Sequence, residues 1–189
     1  MALRRHVRLV AAAVALLVGA GGPPAQTGLQ DENLLTPMPP GFKLSWQTPD
    51  GHMQAFVRPP DTLETWSTLI TIQIIRGLSN MNPDGFADRL ATHWTSGCPG
   101  GSGQKVRGGN ENGFPIVLWV YLCPLDPATH KPETMFLKAI SGADSLYVTQ
   151  YAVREAASKE MAVPATAFLG KVMACDTRRA DRPCPAPLK

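Results

Sequence analysis

Hydrophobic and polar positions alternate from residue 42 onwards in a pattern typical of paired strands. Phe42, Leu44 and Trp46 alternate with polar residues, which is the period-2 pattern of a half-buried strand. A Pro-Asp-Gly turn at residues 49–51 follows, and a second alternating segment runs from Met53 to Val57. Together these two segments predict a β-hairpin.

Further along the chain, four segments have the composition of strands. Residues 65–76 are rich in β-branched residues, which favour strands. Residues 114–125 are apolar on both faces of the alternation, so we expect a central strand that is covered on both sides. Residues 134–140 and 145–153 flank a Ser-Gly-Ala-Asp turn and predict a second hairpin.

The glycine-rich segment from Cys98 to Gly113 leaves two alternatives open. It contains six glycines and one aliphatic residue, Val106. It is either a long loop or a short strand around Gln104–Arg107 followed by a turn at residues 112–113. The Asp126–Pro132 segment is the second long connection that we expect to present contacts.

Two helices are predicted. Asn82 suits the N-cap and Pro83 the first helical position. Phe86, Leu90 and Trp94 then form one apolar stripe, and the helix should end near Gly97. A last helix is expected over residues 164–175, where two pairs of apolar residues are spaced four apart.

Hairpins with helices packed on them predict an α+β fold: an antiparallel sheet of about five to seven strands with two main helices and two disulfides. We expect a single domain over residues 40–176. Residues 21–39 should be a flexible lead-in, and residues 177–189 a proline-rich tail clipped by a disulfide. Residues 1–20 are predicted to be a signal peptide.

The order of these elements resembles the PsbP/Mog1-like fold. The resemblance covers most of residues 40–175. It consists of an opening Pro-Gly-Phe at residues 40–42, a hairpin, a long strand, a helix, a meander and a C-terminal helix. That fold is used by accessory, chaperone-like and lipoprotein members without a common active site. The resemblance therefore implies a fold and no catalytic residue.

The signal-peptide prediction depends on the first twenty residues. Arg4, Arg5 and Arg8 precede a ten-residue apolar run and then small residues, with cleavage expected after Ala20. A membrane anchor is the alternative, but ten helical residues rise only about 15 Å against a core of about 30 Å. We expect a periplasmic or secreted protein without a stable membrane anchor. Arg4-Arg5 leaves Sec and twin-arginine export both open.

Charge excludes nucleic acid as a partner. The chain has 18 Lys and Arg against 15 Asp and Glu. Removing the three arginines of the leader leaves equal numbers of basic and acidic residues. A nucleic-acid-binding protein needs a cationic face, and we predict none here.

The four cysteines, Cys98, Cys123, Cys175 and Cys184, predict two disulfides in an exported chain. Three connectivities are open, and sequential pairing is the most economical. Neither sequential pair has the CxxC spacing of a thioredoxin-like motif. The cysteines and histidines also do not form the cluster of ligands that a zinc site usually needs. We expect no metal and no cofactor.

Candidate contact residues are few. His93 lies beside the apolar stripe of the first helix, His130 lies in a proline-bounded loop, and neither belongs to a nucleophile motif. Trp46, near the hairpin turn, either packs in the core or lines a surface where a partner docks.

Three functions remain. The first is a non-enzymatic accessory or binding protein of the bacterial cell envelope, of a class that includes immunity and inhibitor proteins, with a protein partner. The second is a small secreted hydrolase whose site is assembled in space around His93 or His130. The third is a carrier of lipids or small apolar ligands, with its cavity between the sheet and the last helix.

Overall fold

A computed structural model describes residues 29–185 of the chain. Within them the backbone forms nine strands and two helices. In chain order these are β1 (Glu32–Leu35), β2 (Lys43–Gln47), β3 (Met53–Val57), β4 (Thr68–Arg76), α1 (Pro83–Gly97), β5 (Ser102–Glu111), β6 (Phe114–Cys123), β7 (Glu133–Ser141), β8 (Ser145–Val153), α2 (Lys159–Leu169) and β9 (Met173–Asp176). The signal peptide predicted for residues 1–20 lies outside the described residues.

Seven of the strands form one antiparallel sheet in the order β2-β3-β4-β8-β7-β6-β5, and β1 pairs with β9 in a separate ribbon. The predicted α+β class, with two helices on an antiparallel sheet of up to seven strands and two disulfides, is therefore confirmed. Strand β6 is covered on both faces as expected. It is second from the edge of the sheet, however, because the glycine-rich segment adds β5 outside it.

The sheet carries a different layer on each face. Helix α1 packs on one face, against β5, β6 and β7, over a cluster that includes Trp119, Tyr121 and Leu137. Helix α2 packs on the other face, where Phe168 and Leu169 belong to a second buried cluster. Because both faces are covered, most residues of β6, β7 and β8 are buried, which explains why their sequences are mainly apolar.

Helix α1 forms as the sequence predicts. The Asn82 side chain accepts a hydrogen bond from the backbone N–H of Asp84 at 3.1 Å, and Pro83 occupies the first helical position. On the buried side, the Tyr121 hydroxyl donates to the Ala87 carbonyl at 2.9 Å. The apolar stripe and these hydrogen bonds fix the helix on the sheet.

The predicted half-buried hairpin strand is exposed instead. All five residues of β2 are solvent-accessible, because β2 lies at the edge of the sheet, away from the strands on which α1 and α2 mainly pack. A register shift at Ser45 pairs Leu44 with Phe56 but Trp46 with Ala55, so these two apolar side chains point to opposite faces. Trp46 is 44% exposed, so the core-packing alternative is wrong for this residue.

The segment from Cys98 to Gly113 is neither a long loop nor a short strand. It contains the ten-residue strand β5, which pairs along its whole length with β6 and has a bulge between Lys105 and Arg107. Asn112 and Gly113 have φ angles of 49° and 75°, and they form the two-residue hairpin turn between β5 and β6. The apolar neighbour β6 supplies the pairing that the glycine-rich sequence does not suggest by itself.

The last helix was predicted too far along the chain. Helix α2 begins at Lys159, capped by Ser158, and ends at Leu169. Pro164 lies inside it, and Cys175 belongs to β9. Residues 168, 169 and 172 are all buried in the same cluster, although Val172 follows the helix. Apolar spacing alone therefore extends the helix past its true end.

The fold also begins earlier than expected. The predicted lead-in contains β1, and the carboxylate of Glu32 accepts hydrogen bonds from the backbone N–H groups of Ala143 and Asp144 and from the Tyr147 hydroxyl, at 2.7 to 3.1 Å. Leu34 packs against the buried cluster under α2. The four residues of β1, two of which are leucines, are ordered because they meet the β7–β8 turn and β9.

The disulfides follow the sequential pairing. Cys98 is linked to Cys123, and Cys175 is linked to Cys184. The first joins the end of α1 to the end of β6, and the second joins β9 to the tail. The remaining two connectivities are thereby excluded.

The tail is also held by an ion pair, which makes stability sensitive to acid. Asp176 is 1% exposed, and its carboxylate accepts two hydrogen bonds from the Arg178 guanidinium at 2.8 Å. These bonds lower the pKa of Asp176 from 3.8 to about 2. A lowered folded-state pKa stabilises the protein above the ordinary pKa, and this contribution is lost as the pH falls towards 2.

We therefore expect Asp176→Asn to lower the free energy of unfolding by about 2 kcal/mol at pH 7 and by much less at pH 2. Urea unfolding at both pH values measures the difference. The exposed Asp88→Asn serves as the control and should change little at either pH. An equal loss for Asp176→Asn at pH 7 and pH 2 would contradict the role of the ion pair.

Candidate functional site

A cleft with a volume of about 300 Å³ lies between the second half of α1 and the beginning of β7. We call it the α1–β7 cleft. It is lined by Leu90, His93, Trp94, Gly97, Cys98, Cys123, Asp126 and Glu133.

The apolar wall of the cleft is fixed to the sheet. Leu90 and Trp94 are one helical turn apart on α1, and the Trp94 indole N–H donates to the Leu122 carbonyl at 3.0 Å. The Trp94 ring also packs on Tyr121, with 5.7 Å between ring centroids. The Cys98–Cys123 disulfide closes the base. The wall is therefore preformed, as ligand sites generally are.

Glu133 is the main polar group of the cleft. It is the first residue of β7 and pairs with Cys123 in the ladder, so it points to the face of the sheet that carries α1. Its side chain is partly buried, and none of residues 29–185 donates a hydrogen bond to its carboxylate. Burial raises the pKa of Glu133, the Asp126 charge raises it further, and Arg154 opposes both.

Asp126 has a structural role at the rim. One carboxylate oxygen accepts hydrogen bonds from the backbone N–H groups of Ala128 and Thr129 at 2.9 and 2.8 Å, and from the Thr129 hydroxyl at 3.1 Å. Burial acts to raise the pKa of Asp126, but these hydrogen bonds outweigh it and lower the pKa. Asp126 therefore stays ionised and shapes the loop over residues 126–132.

Arg154 is a cation that acts electrostatically on both of these carboxylates. Its guanidinium lies 4.0 Å from the centre of the Trp66 ring and donates to the Glu64 carbonyl at 2.9 Å. It interacts electrostatically with both Asp126 and Glu133, but it forms a hydrogen bond with neither. Arg154 thus offsets part of the negative charge from outside the cleft lining.

The structure brings only one of the three predicted contact residues into the cleft. His93 lines it from α1. His130 lies in the neighbouring loop, where its backbone N–H donates to the Asp126 carbonyl at 2.8 Å, but its side chain is not part of the lining. Trp46 lies on β2, at the opposite edge of the sheet.

Sequence reasoning missed Glu133. The signal is a carboxylate directly after Pro132, at the point where an apolar strand begins. Its meaning depends on the pairing of residue 133 with Cys123, which places it beside α1. The pairing could have been proposed from the two predicted strands, but the burial could not.

A second group of polar residues surrounds His52. The Asp50 carboxylate is 2.8 Å from the His52 imidazole nitrogen and accepts a hydrogen bond from the Thr48 hydroxyl at 2.5 Å. Hydrogen bonds from Thr48 and His52 lower the pKa of Asp50 to about 2. Both neighbours bind the carboxylate, whereas a catalytic triad requires the hydroxyl to contact the imidazole. This group is a turn-stabilising cluster.

Lys138 is a third polar group that the sequence does not reveal. It lies in β7 with no exposed surface, and its ammonium group donates to the carbonyls of Leu169 and Val172 at 3.2 and 2.7 Å and to the Glu111 carboxylate. Burial lowers the pKa of Lys138, and Glu111 opposes that shift. Lys138 satisfies carbonyls at the end of α2 and thereby attaches the helix to the sheet.

No metal centre is found in the part of the chain that the structure describes: no three His, Cys, Asp or Glu side chains there form a group that could hold a metal ion. No helix over residues 29–185 is long and apolar enough to cross a membrane.

Several solved structures resemble the chain. LpqN from Mycobacterium tuberculosis, described as involved in cell envelope biogenesis, has a TM-score of 0.47 and 15% identity and covers 79% of this chain and 87% of its own. The Ran-binding protein Mog1p from Saccharomyces cerevisiae has a TM-score of 0.45 and 14% identity, and the match covers 74% of this chain and 85% of Mog1p. PsbP from the cyanobacterium Synechocystis has a TM-score of 0.45 and 8% identity, and the match covers 80% of this chain and 95% of that protein.

These matches include both proteins that give the PsbP/Mog1-like fold its name, as the order of elements in the sequence suggested. At such identities and TM-scores the likeness concerns the fold and transfers no residue role, ligand or partner. No protein-family model and no curated protein sequence matches the chain.

Proposed function

We propose that the protein is an exported accessory protein of the cell envelope that binds a protein partner at the α1–β7 cleft. The observation that carries this proposal is Glu133, a partly buried carboxylate with no hydrogen-bond donor among residues 29–185, which faces a preformed apolar wall. A carboxylate that is partly removed from water and has no protein donor can accept hydrogen bonds from a partner, which would gain binding energy there.

The surroundings of the cleft support a macromolecular partner. Leu125, next to the rim residue Asp126, is 55% exposed, and the loop over residues 126–132 borders the same opening. An exposed leucine beside a cleft extends the contact area beyond the cleft itself. Two disulfides and the predicted leader favour an oxidising compartment outside the cytoplasm.

The two alternative functions have less support. Among residues 29–185, no hydrogen bond joins His93 or His130 to a serine or aspartate side chain, so the contact that would favour the hydrolase is not observed. The interface between the sheet and α2, where a carrier would need its cavity, is packed with Met161, Ala165 and Phe168. More specifically, we propose that the protein belongs to the immunity or inhibitor-like kind of binding protein.

Site-specific photocrosslinking tests the proposal. A photoreactive phenylalanine analogue replaces Leu125 beside the cleft or Val163 on α2, which is 59% exposed and lies on the other face of the sheet. In cells that export the full chain, we expect a discrete protein adduct from position 125 at least five times stronger than that from position 163.

A third position separates the cleft from the other exposed apolar surface. The same analogue at Trp46 reports on the edge strand β2. An adduct from position 46 with none from position 125 would move the partner to that edge and overturn the proposal for the cleft. Equal adducts from positions 125 and 163, or none from either, would remove the proposal altogether.

A further inference from the structure

We infer that the group bound in the α1–β7 cleft is an arginine side chain of the partner protein. This inference rests on the proposed function and adds the chemistry of the contact. Three features of the cleft support it: its charge, its size and the nature of its walls.

The charge of the cleft is incompletely compensated. Asp126 and Glu133 carry two negative charges when ionised, and Arg154 supplies one positive charge to both. Arg154 is held on the Trp66 ring and by the Glu64 carbonyl, and it forms no hydrogen bond with Glu133. The lining of the cleft contains no Lys or Arg, and Glu133, which is partly buried, forms no ion pair with any of residues 29–185. A cation entering the cleft completes the balance.

The size and walls of the cleft favour a long side chain over a folded loop. The volume of about 300 Å³ is at the lower end of the range for ligand sites, roughly 300–1,000 Å³. Leu90 and the disulfide provide apolar contact for methylene groups, and Trp94 provides an aromatic ring. The Trp94 N–H is already bonded to Leu122, so the indole contributes packing and not a hydrogen bond.

Arginine fits these walls better than lysine. A guanidinium group is planar, stacks on aromatic rings and donates two parallel hydrogen bonds to one carboxylate. An ammonium group is more strongly hydrated, and its transfer into a partly dry cleft is less favourable. Glu133 has both carboxylate oxygens available within the described residues, which matches a two-point contact.

The test titrates the full mature protein with N-acetyl-arginine amide and follows the NMR signals of the Trp94 indole and the Leu90 methyl groups. N-acetyl-citrulline amide, the neutral analogue of the same shape, is the matched probe. We expect the arginine probe to bind at least ten times more tightly than the citrulline probe. We also expect Glu133→Gln to reduce arginine binding at least tenfold, and Glu155→Gln, at an exposed position, to leave it unchanged.

Each outcome decides the inference. Equal binding of the two probes, no binding of the arginine probe, unchanged binding by Glu133→Gln, or tighter binding of N-acetyl-lysine amide would overturn it. Thermal unfolding of Glu133→Gln confirms that the variant is folded before its binding is interpreted. If the partner still crosslinks at position 125 in Glu133→Gln, the proposed function stands while the arginine contact fails.

Discussion

Replacing Lys138 with methionine should lower the free energy of unfolding by about 3 kcal/mol, because it removes one partner of a buried charged contact. Methionine fills a similar volume, so the loss comes from the hydrogen bonds and not from a cavity. The Leu169 and Val172 carbonyls lose their donor, and Glu111 keeps only one of its two cations, Arg107. Urea unfolding at pH 7, followed by circular dichroism, measures the change.

Lys43→Met is the matched control, because Lys43 is exposed on the edge strand β2. A surface substitution of this kind normally changes stability by less than about 0.5 kcal/mol. If Lys138→Met were as stable as Lys43→Met, the attachment of α2 through the buried ammonium group would be wrong. Glu111→Gln should have an intermediate effect, since it leaves the two carbonyl contacts in place.

Removing the Cys98–Cys123 disulfide should have an effect of the same size. The double substitution Cys98→Ala and Cys123→Ala opens a link between residues 25 positions apart. In the chain-entropy account this costs about 3 kcal/mol, equivalent to a fall of about 10 °C in Tm for a domain of this length. Differential scanning calorimetry of the oxidised proteins measures the fall.

The second disulfide provides the comparison, because Cys175 and Cys184 are only 9 positions apart. The corresponding double alanine variant should lose less stability, since a shorter loop restricts the unfolded chain less. A larger loss than for the Cys98–Cys123 variant would show that loop length does not determine the effect. In that case the attachment of the tail to β9 would be the dominant contribution.

Local signals in the sequence were sufficient for much of the fold. The Pro-Asp-Gly turn at residues 49–51 and the Asn82-Pro83 pair fix a hairpin and a helix start by backbone geometry alone, and the structure has both. The cysteine count fixed the number of disulfides. Such features depend on neighbours within a few residues, so a single sequence contains them.

The remaining features depend on contacts between distant segments. Trp46 lies on the opposite face of the sheet from Leu44 because of the bulge at Ser45, which leaves no mark in the alternation. Lys138 interrupts an apolar strand and would ordinarily be assigned to the surface. Only its position beside the end of α2, about thirty residues later, explains its burial. Glu133 likewise acquires its role from α1, which precedes it by more than thirty residues.

The pairing of β1 with β9 determines when folding can be completed. These are the first and last strands of the described chain, so β1, which is synthesised first, must wait for β9. Contacts of such high sequence separation form slowly, because the intervening chain must be ordered first. Until β9 is made, β1 has no strand to pair with, and the buried cluster under α2 lacks Ala174. A nascent chain that stops short of residue 173 would therefore expose apolar surface and become a substrate for chaperones and proteases.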